Sequence, residues 1–409
     1  MAETLWVAEQ AESRPAPSTE PFDAARALGH VEALSYPRRV GTIQERRAAR
    51  YIRGEFAAAG LACRRERFEV PLLAREVGAR GVLALCGAAV VAGGWLAAEA
   101  PLGAAVLWLG AAALVNAPWA IAGRVGRGWA RPLTSENLIA TEPDRERSEA
   151  PARVVFMAHY DTKSQLLPTG LRVGLVCVAT GLCLILAVAE AEGGRNWVSH
   201  AAVTHAPGLV LVILALLAAN RTGNRSPGAL DNGTGLGVLL ELARSWRPTP
   251  GEPIEALWIA SGSEETGLDG ARDFLRRHEA WWRAKPTLLV NLDSVGAGDR
   301  VYLTGEPGTV ALAESVAAAL AIPCARLRVL GAGMDHQPFA ARGLCAVSVL
   351  GDVVGRSMAM HSRRDTPDRV EADAMERAAA LADRLARVWA ARYRPPGARE
   401  TRAGAAVGR

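Results

Sequence analysis

The chain has no C-x-x-C pair among its six cysteines, and Cys86, Cys177 and Cys183 lie inside strongly apolar runs. A thiolate zinc site and a disulfide frame are therefore not expected, and these cysteines read as small buried apolar residues. A basic stripe is also lacking. The net charge is +5 and the pI near 9.1, but the arginines are dispersed and aromatics make up only 5% of the chain, which leaves no support for a nucleic-acid partner. An anionic membrane surface accounts for the same charge. Residues 1–21 lack a basic stretch followed by an apolar core, so no secretory signal peptide is expected there. They read as a disordered tail rich in Pro, Glu and Ser, as do residues 394–409 at the other end.

What is abundant is apolar residues. They form 50% of the 409 residues, and the mean hydropathy of +0.09 is high for a purely soluble enzyme. The excess is confined to residues 80–124 and 172–220, each a pair of apolar runs around a polar turn. Glu99 and Pro101 mark the first turn, and Glu190, Glu192 and Arg195 the second. The runs of the first pair suffice for membrane helices, which need roughly 17 to 25 residues. Those of the second, Val173 to Ala189 and Ala206 to Ala219, are shorter, and a pair of buried soluble helices is the other reading. Trp95, Trp108, Trp119 and Trp129 are interfacial anchors or, in mid-run, packing residues. Contact with membrane lipid is the expectation; a homodimer with the hairpins at its interface is the alternative.

The remainder, residues 22–393 without the two insertions, reads as one α/β domain. Helical periodicity runs from Phe22 to Gly60 with a Pro/Gly turn at Ser35 to Thr42, and strand alternation covers Arg64 to Leu73 and Glu136 to Thr141. Short apolar strands follow at Val154 to Ala158, in the first part of Leu257 to Gly267, at Thr287 to Asp293 and at Ala346 to Leu350. Helices are expected at Gly235 to Trp246, up to His278, at Val310 to Leu320 and from Glu371 to Tyr393. Strands alternating with helices imply a mostly parallel sheet whose carboxyl ends gather the active residues.

Adjacent acids, Glu264 and Glu265, close one of those strands. They are either a solvated loop pair or a division of labour in which one binds a metal and the other moves a proton. Four further candidates stand at strand ends or in loops: His159, Asp231, Asp293 and His361. Two imidazoles and three carboxylates, Glu265 among them, make a donor set suited to zinc, and also to cobalt or manganese. Each alone has an ordinary explanation as a turn or polar surface residue.

The segments AHYDT (158–162), PGALDNGTG (227–235), SGSEETG (261–267), NLDSVG (291–296), DHQPF (335–339) and HSRRDTPDRV (361–370) together resemble the M28 family of metallopeptidases, the co-catalytic zinc aminopeptidases and their carboxypeptidase relatives. The resemblance covers Phe22 to Tyr393 outside the apolar blocks. It implies a zinc-exopeptidase-like fold, a mixed and mostly parallel sheet flanked by helices, here with two inserted transmembrane hairpins. It also implies two Zn2+ ions, with His159 and Asp293 on one, Glu265 and His361 on the other, and Asp231 bridging. Glu264 becomes the general base, Asp161 the group that orients the His159 imidazole, and Asp231-Asn232 a cis peptide bond. Leu230 departs from the pattern, since many relatives carry a second acid there.

The activity so implied is hydrolysis of peptide or amide bonds by an aminopeptidase-type exopeptidase acting on short peptides. A glutaminyl-cyclase-like enzyme with one zinc and a non-catalytic membrane scaffold are the alternatives. Arg75, Arg80, Arg124, Arg127, Arg131, Arg172, Arg221 and Arg225 flank the catalytic ends of the hairpins, whereas the turns carry mainly Glu. The positive-inside rule then predicts a multi-pass protein of the cell membrane with its catalytic domain facing the cytoplasm.

Overall fold

The computed structural model describes residues 20–118, 121–122, 130–143, 150–192, 200–248, 254–327 and 333–393. Nearly all of the two expected tails, and Trp119, Trp129, Arg124, Arg127 and Arg195, lie outside the described residues. The first two helices are Ala24–Leu34 and Ile43–Ala58. Asp23 caps the first by accepting from the backbone of Ala25 and Arg26, and Thr42 caps the second by accepting from Glu45 N. The first buries Ala27, His30, Val31 and Leu34, one face at helical spacing.

Among the described residues ten strands follow in chain order: β1 Ala62–Val70, β2 Leu133–Thr141, β3 Ala152–His159, β4 Ser164–Gln165, β5 Thr222–Gly223, β6 Ile254–Ser261, β7 Thr287–Asp293, β8 Val301–Gly305, β9 Cys324–Arg326 and β10 Ala346–Leu350. Eight of them form one sheet in the order β1-β2-β6-β3-β7-β10-β8-β9. Strands β6, β3, β7 and β10 are mutually parallel at its centre, and the pairings of β1 with β2, β2 with β6 and β10 with β8 are antiparallel. The parallel strands are buried on both faces. Val154 and Phe156 of β3 pack into one layer, with helices Thr234–Ser245 and Ala372–Ala390, while Val155 and Met157 pack into the other, with helix Asp269–Arg283. Strands β8 and β9 have no counterpart in the sequence reading, because the apolar stretch of β8 is limited to Val301, Tyr302 and Leu303 and β9, at the sheet edge, has three residues in all.

Both apolar insertions leave the sheet on two-stranded stems. Val70 at the end of β1 pairs with Leu133 at the start of β2, and helices Leu72–Leu96 and Pro101–Asn116 are inserted between them. Gln165 of β4 pairs with Thr222 of β5, enclosing helices Thr169–Ala191 and His200–Ala219. Two expectations need correction. The first hairpin starts at Leu72, not residue 80, because the charged residues of its first turns are helical and paired with the α/β body: Arg39 Nη2 lies 2.9 Å from Glu76 Oε1, and Arg75 is bidentate on Asp269 at 2.9 Å. The second hairpin is not the shorter one. Each hairpin contains one helix long and apolar enough to cross a membrane, Leu72–Leu96 and Thr169–Ala191, together with a shorter apolar helix.

The four helices share a single core. Cys86 and Val90, Trp108 and Ala111, Cys183 and Leu186, and Val210 and Ile213 meet in it, one pair from each helix. A Cβ on Gly93 would lie 3.1 Å from the Trp108 ring, so glycine at that position admits the indole. Trp108 is 1% exposed and packs, whereas Trp95, 84% exposed, stands at a helix end. Outward faces are apolar too, through Leu85, Val106, Val178 and Val212. Helices apolar all round are the signature of a membrane span or a deep protein core, and these outward side chains are exposed among the described residues.

One buried cation joins the loops at the sheet's carboxyl edge. Arg38, fully buried, donates from Nε to Tyr160 O at 2.9 Å, from Nη1 to Leu34 O, Tyr36 O at 3.1 Å and Pro227 O at 2.8 Å, and from Nη2 to Gly228 O at 3.1 Å. Burial lowers its guanidinium to about 10, which leaves it charged at neutral pH. It thus ties the loop after β3 to the loop before Asp231. Arg38→Met leaves these carbonyls without their donor, and the expected cost is about 3 kcal/mol or more, read as a lower thermal-unfolding midpoint in detergent.

Candidate metal centre

Parallel strands deliver the candidate residues to one edge. His159 ends β3 and Asp293 ends β7; Glu264 and Glu265 lie in the turn after β6, and His361 in the loop after β10. Asp231 precedes helix Thr234–Ser245, and the Asp231-Asn232 peptide bond is cis. All six side chains are buried.

The structure brings them together in two sets. Among the described residues, His159, Asp231 and Asp293 form one group of ligand-type atoms, and Asp231, Glu265 and His361 another, each within 4.8 Å. His159 Nε2 lies 3.2 Å from Asp231 Oδ1 and 3.8 Å from Asp293 Oδ1. His361 Nε2 lies 2.9 Å from Asp231 Oδ2 and 3.0 Å from Glu265 Oε2. Glu264 joins neither set, although its Oε2 is 4.0 Å from His159 Nε2.

Four buried acids so close together demand positive charge. Burial alone would depress both imidazoles, yet the Glu264 charge and the nearby carboxylates of Asp161, Asp231 and Asp293 raise His159 well above its ordinary value, and Glu265 chiefly raises His361. Burial pushes the Asp231 carboxyl up, but its hydrogen bonds to the two histidines outweigh that and hold it below the usual carboxylate range. Glu264 goes the other way: burial drives its carboxyl well above the ordinary value, against the pull of His159.

The supporting bonds come from residues far apart in sequence. Asp161 accepts from Glu264 N at 2.9 Å and Glu265 N at 3.2 Å, so its carboxylate shapes the acidic turn. The expected orientation of His159 comes mainly from the Asp161 backbone, whose carbonyl is 3.2 Å from Nδ1, while the carboxylate stays 3.7 Å away. Asn232 donates to Leu292 O and accepts from Gly235 N and Ser294 N, fastening the Asp231 loop to the end of β7. Asp365, pushed up to about 7 by burial, accepts from Leu230 N and Asp231 N; an acid thus serves this turn from another loop although position 230 is leucine. Ser263, Leu268, Ser294 and His361 all take positive φ between 55° and 59°. Non-glycine residues in that region cost about 1–3 kcal/mol each and persist where neighbours over-determine the fold.

Several site residues escaped the sequence reading. Thr169 Oγ1, in the first turn of an apolar helix, is 2.8 Å from His361 Nδ1. Lys163 Nζ is 2.7 Å from Glu265 Oε2. Asp335, pushed up to about 7 by burial, accepts from Ser261 Oγ and adds no ligand to either set. Lys163 stands directly after AHYDT, and Asp335 and Asp365 were inside quoted segments; Thr169 carried no signal, since threonine at a helix start is ordinary.

The chain is similar to known proteins in sequence and in fold. The family model of peptidase family M28 matches residues 210–386. An 84-residue stretch is 38% identical to the alkaline phosphatase isozyme conversion protein of Escherichia coli strain K12, covering 20% of this chain and 24% of that protein. A 71-residue stretch is 39% identical to aminopeptidase YwaD of Bacillus subtilis strain 168, covering 17% of this chain and 15% of that one. The matches thus span a quarter or less of these curated relatives. Among solved structures, the zinc aminopeptidase of Bacillus subtilis superposes with a TM-score of 0.54 at 15% identity, covering 91% of this chain and 96% of that one. The glutaminyl cyclase of Porphyromonas gingivalis gives 0.52 at 17% identity, with 89% and 97% covered. At such identity the superpositions speak for the fold. Residues 210–386 match the peptidase family M28 model, and the chain takes the fold of the zinc aminopeptidase neighbour.

Proposed function

We propose that this chain is a membrane-anchored di-zinc metallopeptidase of the aminopeptidase type, hydrolysing peptide or amide bonds in short peptides. The sharing of Asp231 carries the reading, because one of its oxygens faces His159 and the other faces His361. The donor set fits the metal. Two imidazole nitrogens and three carboxylates suit zinc, and cobalt or manganese as well; Glu265 Oε1 is a buried oxygen without a hydrogen-bond partner. His159 and Asp293 would hold one ion, Glu265 and His361 the other, and Asp231 both. That a fold neighbour is a zinc aminopeptidase supports the choice of zinc.

Zinc bound there would polarise the scissile carbonyl and lower the pKa of the attacking water. Glu264 carries the proton. Its buried carboxyl, raised by its surroundings and bound to neither ligand set, accepts the proton of the attacking water and delivers it to the leaving amine. Asp161 holds the Glu264 and Glu265 backbone in place, and Thr169 fixes the His361 ring from behind.

Two long apolar helices, and a four-helix core whose outward faces are apolar, support anchoring in lipid over a soluble homodimer interface. The arginines at the catalytic ends of the hairpins favour a site facing the cytoplasm. A reporter fused to the C-terminus is then expected to work only on the cytoplasmic side; activity solely outside the inner membrane contradicts this orientation.

Glu264→Gln is expected to keep about two metals per chain by elemental analysis and to lose at least about a hundredfold in turnover of aminoacyl amides; undiminished turnover removes Glu264 from the mechanism. One zinc per chain with cyclisation of N-terminal glutamine would instead identify a cyclase. Thr169→Val is expected to weaken zinc binding by roughly 10- to 100-fold in a chelator competition, with Thr169→Ser close to wild type. Equal affinity in all three proteins leaves the hydroxyl no part in holding His361.

A further inference from the structure

The second apolar hairpin forms part of the wall of the metal centre. Thr169, the first residue of helix Thr169–Ala191, lies 2.8 Å from His361 Nδ1, and Gln165 N donates to His361 O at 2.9 Å. A Cβ on Gly170 would lie 2.8 Å from Ser357 Oγ and 3.4 Å from Met358 Sδ. Residues 164–171 and the loop before His361 therefore pack together as one rim beside the site.

That rim is apolar on its outer side. Leu166 is 62% exposed, Leu171 45%, Val354 61% and Met358 53%. A single exposed aliphatic side chain is ordinary, but these four stand on two segments packed against each other next to a candidate metal ligand. The exposure continues along the same helix through Val178 and Ile185, on the surface read above as facing lipid. A helix rises 1.5 Å per residue, so Leu171, two residues beyond the one that touches His361, stands about 3 Å along the axis. Arg172, partly buried, is the charged residue of that first turn, and Leu171 beside it is exposed.

We infer that the metal centre takes amphiphilic substrates from the bilayer surface, with Leu166, Leu171, Val354 and Met358 forming a lip that receives the apolar chain attached to the scissile amide. This rests on the hydrolase and membrane readings proposed above. The occupant of the lip is the substrate's hydrocarbon portion, because its four aliphatic side chains are exposed together and Val178 and Ile185 continue that exposure along the same helix. Polar short peptides would use the same centre without that contact.

The test uses the full-length, zinc-loaded protein in nanodiscs of phosphatidylethanolamine and phosphatidylglycerol, with leucine N-butylamide and leucine N-dodecylamide as paired substrates. The readout is the ratio of kcat/KM for the long chain over the short. It is expected to exceed about 10 in the wild type, since each buried methylene contributes about 0.8 kcal/mol, and to fall at least threefold in Leu171→Ser and in the double variant Val354→Ser/Met358→Ser. These side chains are exposed, so folding should be preserved, and continued turnover of the butylamide reports an assembled site. A high ratio unchanged in the variants reflects partitioning of the substrate alone and overturns the lip. A wild-type ratio near one overturns it as well. Failure to cleave either amide overturns the underlying hydrolase reading, and failure of the protein to float with liposomes overturns the membrane reading; either takes the inference with it, and the two are distinguishable.

Discussion

Mutual repulsion among Asp231, Glu264, Glu265 and Asp293 is the constraint around which the rest of this molecule is arranged. Four carboxyl groups are buried together at the carboxyl edge of a parallel sheet, where like charges in low dielectric are strongly disfavoured. Hydrogen bonds to His159 and His361 lower Asp231, whereas burial lifts Glu264. That divergence separates an acid suited to binding a cation from one suited to carrying a proton. Asp161, Asn232 and Asp365 then use backbone N–H groups to hold the turns in which those acids lie, and Arg38 clamps the loops behind them. The positive φ angles at Ser263, Ser294 and His361 persist inside this network.

The apolar hairpins are fitted to the same framework without breaking it. Each leaves and re-enters through a short antiparallel stem, so the register of the central sheet does not depend on the length of the insertion. Each also contributes a polar residue near its base to the catalytic body. Arg75 is bidentate on Asp269 and donates to Thr266 O, bracing the turn that carries Glu264 and Glu265. Thr169 braces His361. The segments that read as membrane helices thus supply the backing of the candidate metal centre.

The central elements were legible because their physics is local. Strands buried on both faces appear as unbroken apolar runs, and β3, β6, β7 and β10 were read from them. The shorter runs of β8 and of the edge strand β9 carry no such signature. The start of the first hairpin was misplaced for a related reason: Arg75 and Glu76 look like loop residues until their partners Asp269 and Arg39 are seen nearly 200 and 37 positions away. Asp161 was read as facing His159, its neighbour along the strand, but its carboxylate lies on backbone groups of Glu264 and Glu265, over a hundred residues distant.

By itself the sequence determined which chemical groups are available, that they follow apolar strands, and that two stretches are too apolar for an ordinary surface. Those properties depend on side-chain type and short-range periodicity, which any stretch of chain displays. Only the tertiary structure decided that Asp231 is shared by both histidines, that Asp365 serves the turn at Leu230, and that Thr169 backs His361 from 192 residues away. Such contacts are set by how the sheet and its insertions pack, and no local pattern of residues records them.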